Sequence, residues 1–257
     1  MTDQPTVVLL GGSGLGPWAW ERVTPILNAR GLRALTPQLR ATGDDVTPPA
    51  EVSLADWIDD VSGFLATTDL KDITLVAHSF AGYVAAGVLA SEADRIRTVV
   101  FLDAVLPQPT RSWFDVSGPD VERFMSGLTE NAAIPFFTRE QLDQLYPGHG
   151  ISEADWEWMQ PKLGSQPLAT YAQPAITGPL NPVTTRLAYI RCLYTTPPAA
   201  DINPSTPGWI FRTLETGHWP MITHPTRQPT SSKNWRARDP GCDFSKSQPR
   251  PSRQPHR

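Results

Sequence analysis

Residues 73–90 read ITLVAHSFAGYVAAGVLA. Positions 73–77 form an apolar run of strand length and positions 81–90 a run of small residues of helix length, with His78 and Ser79 at the join. A strand that turns at once into a helix, with a serine at the turn, is the context of a nucleophile elbow. The sharp turn lifts the hydroxyl to the top of the sheet. The start of the helix turns backbone N–H groups toward any negative charge that develops there. Small residues are a steric demand at such a turn; Ala77 and Ala81 are the smallest alternatives to glycine, and Gly82 follows at once. Ser79 is thus a candidate nucleophile, set against the plainer reading of a helix cap. His78 is read as structural or pocket-lining.

Outward from this stretch the same rhythm repeats. Residues 6–10 are a β-branched and leucine run that feeds Gly11-Gly12. Apolar residues at helical spacing over 18–29 predict a helix closed by Gly31, and 32–36 a second strand. Ser53 is placed to cap a helix running to about Leu65, and TVVFL at 98–102 is a further buried strand. Short strands alternating with helices predict an α/β fold, a mostly parallel sheet covered on both faces. Residues 1–106 are its first part. From 107 to 185 the chain reads as helices and proline-rich loops with no strand run, an insertion lying over the sheet. Strand patterns resume at 187–193 and 209–214, so 186–225 completes the core.

The last segment, 226–257, differs in kind. It holds eight Lys/Arg against two Asp/Glu, a local charge of +6, whereas the rest of the chain carries 14 basic and 24 acidic residues. It has five prolines and no apolar period, too little to offset the entropy of ordering. We read it as a disordered basic tail, a shifted reading frame standing where a final amphipathic helix is expected, in preference to a native tail.

The whole chain of 257 residues has a formal charge of −4, which recommends no nucleic-acid partner. Its two cysteines imply no disulfide framework, the apolar run in MTDQPTVVLL reads as too short for a signal peptide, and the sequence holds no 18-residue apolar stretch. These features predict a cytoplasmic protein with no membrane association; the oligomeric state is left open.

Two further features bear on Ser79. His218, in ETGHWPM after the last strand, is a natural base for a serine near neutral pH. The loop GGSGLG at 11–16 follows the first strand; it lacks the third glycine of a dinucleotide fingerprint, which Pro17 replaces, and no lysine follows as in a phosphate loop. It fits an oxyanion loop, with the Ser13 and Phe80 N–H groups as paired donors. A histidine base wants a carboxylate to hold its tautomer. Asp103, just after the strand at 98–102, is preferred, with Asp201 as the alternative acid. Aromatic residues of the insertion, Trp113 and Phe136 among them, are expected to wall an apolar cleft over Ser79, with Gly12 and Trp219 as further substrate-binding candidates.

The segments LLGGSGLGPWAW, VAHSFAG, QPLATY, LAYIRC and ETGHWPM together resemble the α/β-hydrolase branch of plant methylesterases, salicylic-acid-binding protein and hydroxynitrile lyases, with their bacterial relatives. The resemblance covers about residues 6–225. It implies an α/β-hydrolase fold with a helical cap, no metal and no organic cofactor. It carries over Ser79 as nucleophile, His218 as base, and Ser13 and Phe80 as oxyanion donors. The chain departs from the pattern in three ways. Gly11-Gly12 replaces His-Gly. Gly12 and Trp219 stand where the lyases have a hydroxyl residue and a lysine. Thr195 occupies the position of the family's aspartate. The expected activity is cofactor-independent hydrolysis of a small carboxylic ester through an acyl-enzyme. A non-catalytic small-molecule binder that keeps the pocket is the alternative, and a hydroxynitrile-type lyase is disfavoured by Trp219.

Overall fold

The computed structural model describes residues 4–231. The tail expected at 226–257 and its missing helix therefore fall, from residue 232 onward, outside the described residues. Residues 226–231 lie against the body. Arg227 pairs with Glu215 at 3.0 Å, and the short strand β9 (Thr230–Ser231) adds to the sheet edge.

Six strands are parallel: β1 (Thr6–Leu10), β2 (Arg33–Leu35), β3 (Ile73–His78), β4 (Ile96–Leu102), β7 (Arg186–Cys192) and β8 (Trp209–Leu214). Their order is β2-β1-β3-β4-β7-β8, with β9 antiparallel on β8. The chain moves outward from β1 to β2, then returns across β1 to lay down β3. The order therefore reverses between β1 and β3, which opens a crevice at their carboxyl ends. Residues 11–16 follow one of those strands and Ser79 follows the other.

Helix α2 (Leu54–Thr67) begins at a capping box, in which Ser53 N–H donates to Asp56 Oδ2 at 2.8 Å and the Ser53 side chain accepts from Asp56 N–H. It turns Leu54, Trp57, Ile58, Val61 and Leu65 into the core. Helix α3 (Ala81–Glu92) is buried on all sides from Ala81 to Val88, as a helix held between the sheet and α2 must be. A Cβ at Gly87 would lie 2.2 Å from Ile58 Cδ1, so these helices touch at a glycine.

Two expectations are corrected. The helix expected over 18–29 is a 3-10 turn at Pro17–Trp20 followed by α1 (Thr24–Ala29). Pro25 has no N–H to continue a helix from before it, and it sits in the first turn of α1, where none is needed. The insertion also contains strands: β5 (Ala133–Pro135) and β6 (Ser165–Pro167) form an antiparallel ribbon. Three-residue strands that end in proline leave no periodic signal.

The rest of the insertion is short helices: α4 (Trp113–Ser117), α5 (Pro119–Gly127), α6 (Arg139–Leu145), α7 (Glu153–Met159) and α8 (Leu168–Ala172). Capping boxes at Ser112, Thr138 and Ser152 start three of them. After β8 comes α9 (Pro220–Thr223). No described helix is long and apolar enough to cross a membrane.

Candidate active site

Ser79 leaves β3 with φ 55°, a left-handed conformation that a serine holds only when its surroundings demand it. The demand is visible. Ser79 N–H donates to the Leu102 carbonyl at 3.2 Å, and the Ser79 carbonyl accepts from Gly82 and Val105, both at 3.1 Å. The close approach that asks for glycine falls at Gly82, where a Cβ would lie 2.1 Å from the Val105 carbonyl oxygen. Ala77 and Ala81 fit their sites, each buried without such a conflict.

His218 Nε2 lies 2.9 Å from Ser79 Oγ, and His218 Nδ1 lies 2.7 Å from Asp103 Oδ2. Asp103 is fully buried at the end of β4, also with positive φ, its N–H donating to Ile190 at 2.7 Å. Its carboxylate accepts two more hydrogen bonds, from Thr195 Oγ1 at 2.6 Å and from Cys192 N–H at 3.0 Å. Burial alone would push this carboxyl up; hydrogen bonds and charge from His218, with those from Thr195 and Cys192, outweigh it and hold Asp103 below the usual carboxylate range. Asp201, the other candidate acid, is exposed on the loop after β7. Of the two, Asp103 makes the contact to His218. An imidazole held between a hydroxyl and a buried carboxylate can take the hydroxyl proton and stabilise the charge it acquires.

The 11–16 loop folds over the same point, closed by a Leu15 N–H bond to the Gly12 carbonyl at 3.1 Å. Neither the Ser13 nor the Phe80 N–H donates to another group among the described residues, so both remain available to an anion. Tyr171 donates its hydroxyl to Ser13 Oγ at 2.6 Å, tying this loop to α8. Gly12 lies beneath the cleft. A Cβ there would stand 2.6 Å from Ser79 Cβ and 2.9 Å from His78 Nδ1. His78 is fully buried, and its Nε2 donates to the His218 carbonyl at 2.8 Å. Burial first, and then the nearby charge of His218, lower its pKa to about 3, so it is neutral in the working range.

Above Ser79 is a cleft of about 370 Å³. Trp113, Phe136 and Trp219 line it as expected, joined by Phe137, Tyr146 and Tyr171. Tyr146 stacks on the His218 ring at 5.3 Å, and burial raises its pKa to about 12. Trp113 meets Tyr171 at 4.7 Å, and Phe136 meets Trp219 at 6.0 Å. No Lys, Arg, Asp or Glu lines the cleft among the described residues. A wider depression of about 740 Å³ lies on the cap around Arg139 and Trp156 and contains neither Ser79 nor His218.

Sequence reasoning gave no role to Tyr146, Tyr171 or the Thr195 hydroxyl. Tyr171 stood in the noted segment QPLATY, but its partner lies 158 residues away, a pairing that no local pattern announces.

A sequence profile described as the Alpha/beta hydrolase family matches residues 7–228. A carbendazim hydrolyzing esterase of Nocardioides sp. (strain SG-4G) is 28% identical over 229 residues, 85% of this chain and 94% of that protein. Methylesterase 8 of Arabidopsis thaliana is 32% identical over 124 residues; the match spans 48% of this chain and 44% of that protein. Among solved structures, an extracellular alpha/beta-hydrolase from a Paenibacillus species superposes with a TM-score of 0.70 at 21% identity, covering 86% of this chain and 94% of that one. Methylesterase MES16 from Arabidopsis gives a TM-score of 0.66 at 19% identity, covering 86% and 94%.

Proposed function

This chain belongs to the alpha/beta hydrolase family, and we propose that it hydrolyses small, uncharged carboxylic esters through an acyl-enzyme without metal or cofactor. The observation that carries this reading is the unbroken relay from Ser79 through His218 to Asp103, with contacts of 2.9 and 2.7 Å. Ser79 Oγ attacks the ester carbonyl while His218 Nε2 takes its proton. Negative charge gathers on the former carbonyl oxygen, where the Ser13 and Phe80 N–H groups receive it. His218 then passes the proton to the departing alcohol, leaving Ser79 acylated. Water then attacks the acyl carbon as His218 takes one of its protons; the bond from Ser79 Oγ to the acyl carbon breaks, His218 returns the proton to Ser79 Oγ, and the carboxylic acid leaves. Asp103 stays ionised throughout, fixing the tautomer and stabilising the imidazolium.

The lining of the cleft supports the substrate class. Aromatic walls favour an apolar acyl or alcohol group, and a charged substrate would be desolvated there without a counter-ion. Relatives named as esterases favour the same chemistry.

The test is hydrolysis of p-nitrophenyl acetate together with labelling by a fluorophosphonate probe. Wild-type protein turns over the ester and takes up the probe, and Ser79→Ala does neither while keeping its fold. Undiminished turnover by Ser79→Ala would overturn the proposal. A wild-type protein that ignores both ester and probe would instead favour a binding role for the same cleft.

A further inference from the structure

Asp103 leaves β4, but two of the donors that hold it come from the far end of β7. Cys192 N–H binds one carboxylate oxygen at 3.0 Å. The Thr195 hydroxyl binds the other at 2.6 Å, the same oxygen that His218 Nδ1 approaches at 2.7 Å. A carboxylate only accepts, so the Thr195 hydroxyl must donate. Thr195 is itself held in place. Its N–H reaches back to the Cys192 carbonyl, and Leu193 and Tyr194 bond to the Leu214 and Thr216 carbonyls across β8. It is 7% exposed, at a site where an unpaired hydroxyl would be costly.

Resting on the triad assignment above, we propose that Thr195 is a positioning residue for the reaction. Its hydroxyl pins the Asp103 carboxylate onto His218, and by sharing one oxygen with His218 it limits how strongly that carboxylate retains a proton on the imidazole. The surroundings make the second effect readable. His218 is faced by His78 from β3, Tyr146 from the end of α6 and Asp103 from β4, with Tyr189 and Cys192 of β7 behind the carboxylate. His78 is neutral, and burial pushes Tyr146, Tyr189 and Cys192 up. None of these four changes charge between pH 5 and 8, so a movement of the acid limb between variants reports on the contact among Thr195, Asp103 and His218.

The experiment is kcat/KM for p-nitrophenyl acetate across pH 5–9 in wild type, Thr195→Val, Thr195→Ser and Asp103→Asn. Without the hydroxyl, Asp103 concentrates its charge on His218, and the acid limb of Thr195→Val moves upward by on the order of one pH unit, the equivalent of one hydrogen bond to a charge. Thr195→Ser keeps the donor and the wild-type limb. A Thr195→Val profile that falls in height while its limb stays in place would mean a merely structural contact and would overturn the proposal; should that variant fail to fold, Thr195→Ala is read by the same criterion. Asp103→Asn separates the two assignments. If it retains wild-type activity, the triad reading fails; if it is inactive and the limb of Thr195→Val is unmoved, only the role of Thr195 fails.

Discussion

His78 Nε2 donates a hydrogen bond to the backbone carbonyl of His218 at 2.8 Å, so the residue before Ser79 holds the main chain of His218. This fixes His78 as the neutral Nε2–H tautomer inside the protein. Its pKa in the folded state, about 3, lies below the 6.5 of an unfolded chain, with burial the main cause and the nearby charge of His218 the second. The native state therefore binds fewer protons, and its stability falls as pH drops from 6.5 toward 3, by about 1.4 kcal/mol per unit from this group alone. His78→Gln should flatten urea-derived stability against pH between 6.5 and about 4.5, before the carboxylates protonate. An unchanged slope would show that His78 is not the group responsible.

Replacing Asp103 by Asn should lower kcat/KM by about 10⁴ through the wrong tautomer of His218, as in other Ser-His-Asp sites. Asp201→Asn, on an exposed loop residue, should leave turnover within twofold of wild type. Loss of activity in the second variant alone would reverse the assignment of the acid.

The Thr195 hydroxyl and His218 Nδ1 meet at one oxygen of Asp103, so position 195 is one shared partner away from the imidazole. Asp103→Asn combined with Thr195→Asp should recover at least about tenfold of the lost rate. Steady-state kinetics of the single and double variants decide it; no recovery would mean that the 195 backbone cannot aim a carboxylate at the imidazole.

Two glycines separate stability from activity. A Cβ at Gly82 meets the Val105 carbonyl at 2.1 Å, so Gly82→Ala should cost about 3 kcal/mol, a fall in Tm of roughly 10 °C. At Gly12 the added methyl meets Ser79 and His78 instead. Gly12→Ala should displace the nucleophile and lower kcat about 100-fold with a smaller change in Tm. Thermal denaturation beside kinetics distinguishes the two; the reverse ranking would contradict the packing.

Tyr171 and Ser13 share a partly buried hydrogen bond of 2.6 Å on the wall of the cleft. Tyr171→Phe, Ser13→Ala and their combination form a double-mutant cycle, in which we expect a coupling of about 1 kcal/mol. Additive losses would show that the bond contributes nothing.

The elbow was legible because its parts adjoin in sequence: an apolar strand, a serine and a small-residue helix within residues 73–90. His218 could be placed because one loop follows the last core strand. The acid was harder. Asp103 and Asp201 each follow a strand, and only the order β4-β7-β8, with the loop after β8 reaching back over the end of β7, brings Asp103 against His218 while Asp201 faces solvent. The packing of Gly12 against Ser79 and His78 was hidden for a related reason. A glycine can adjoin a cleft or lie beneath it, and which it does depends on His78 and Ser79 packing from another strand. Tyr146 had no local signature, since its stacking on His218 exists only once the cap folds over the sheet.

The proposed nucleophile and acid, Ser79 and Asp103, both arise from the single span running from β3 through α3 to the end of β4, and the proposed base, His218, comes from elsewhere. The loop after β7 runs through Thr196, Pro197, Pro198 and Ala199 along the cleft, and in the proposed assignment it supplies the acid with the Thr195 hydroxyl and no carboxylate of its own. Such a loop can accumulate insertions and replacements at little catalytic risk. In a lineage under selection for new substrates, or in a library built to find them, this is the segment where diversity is cheapest.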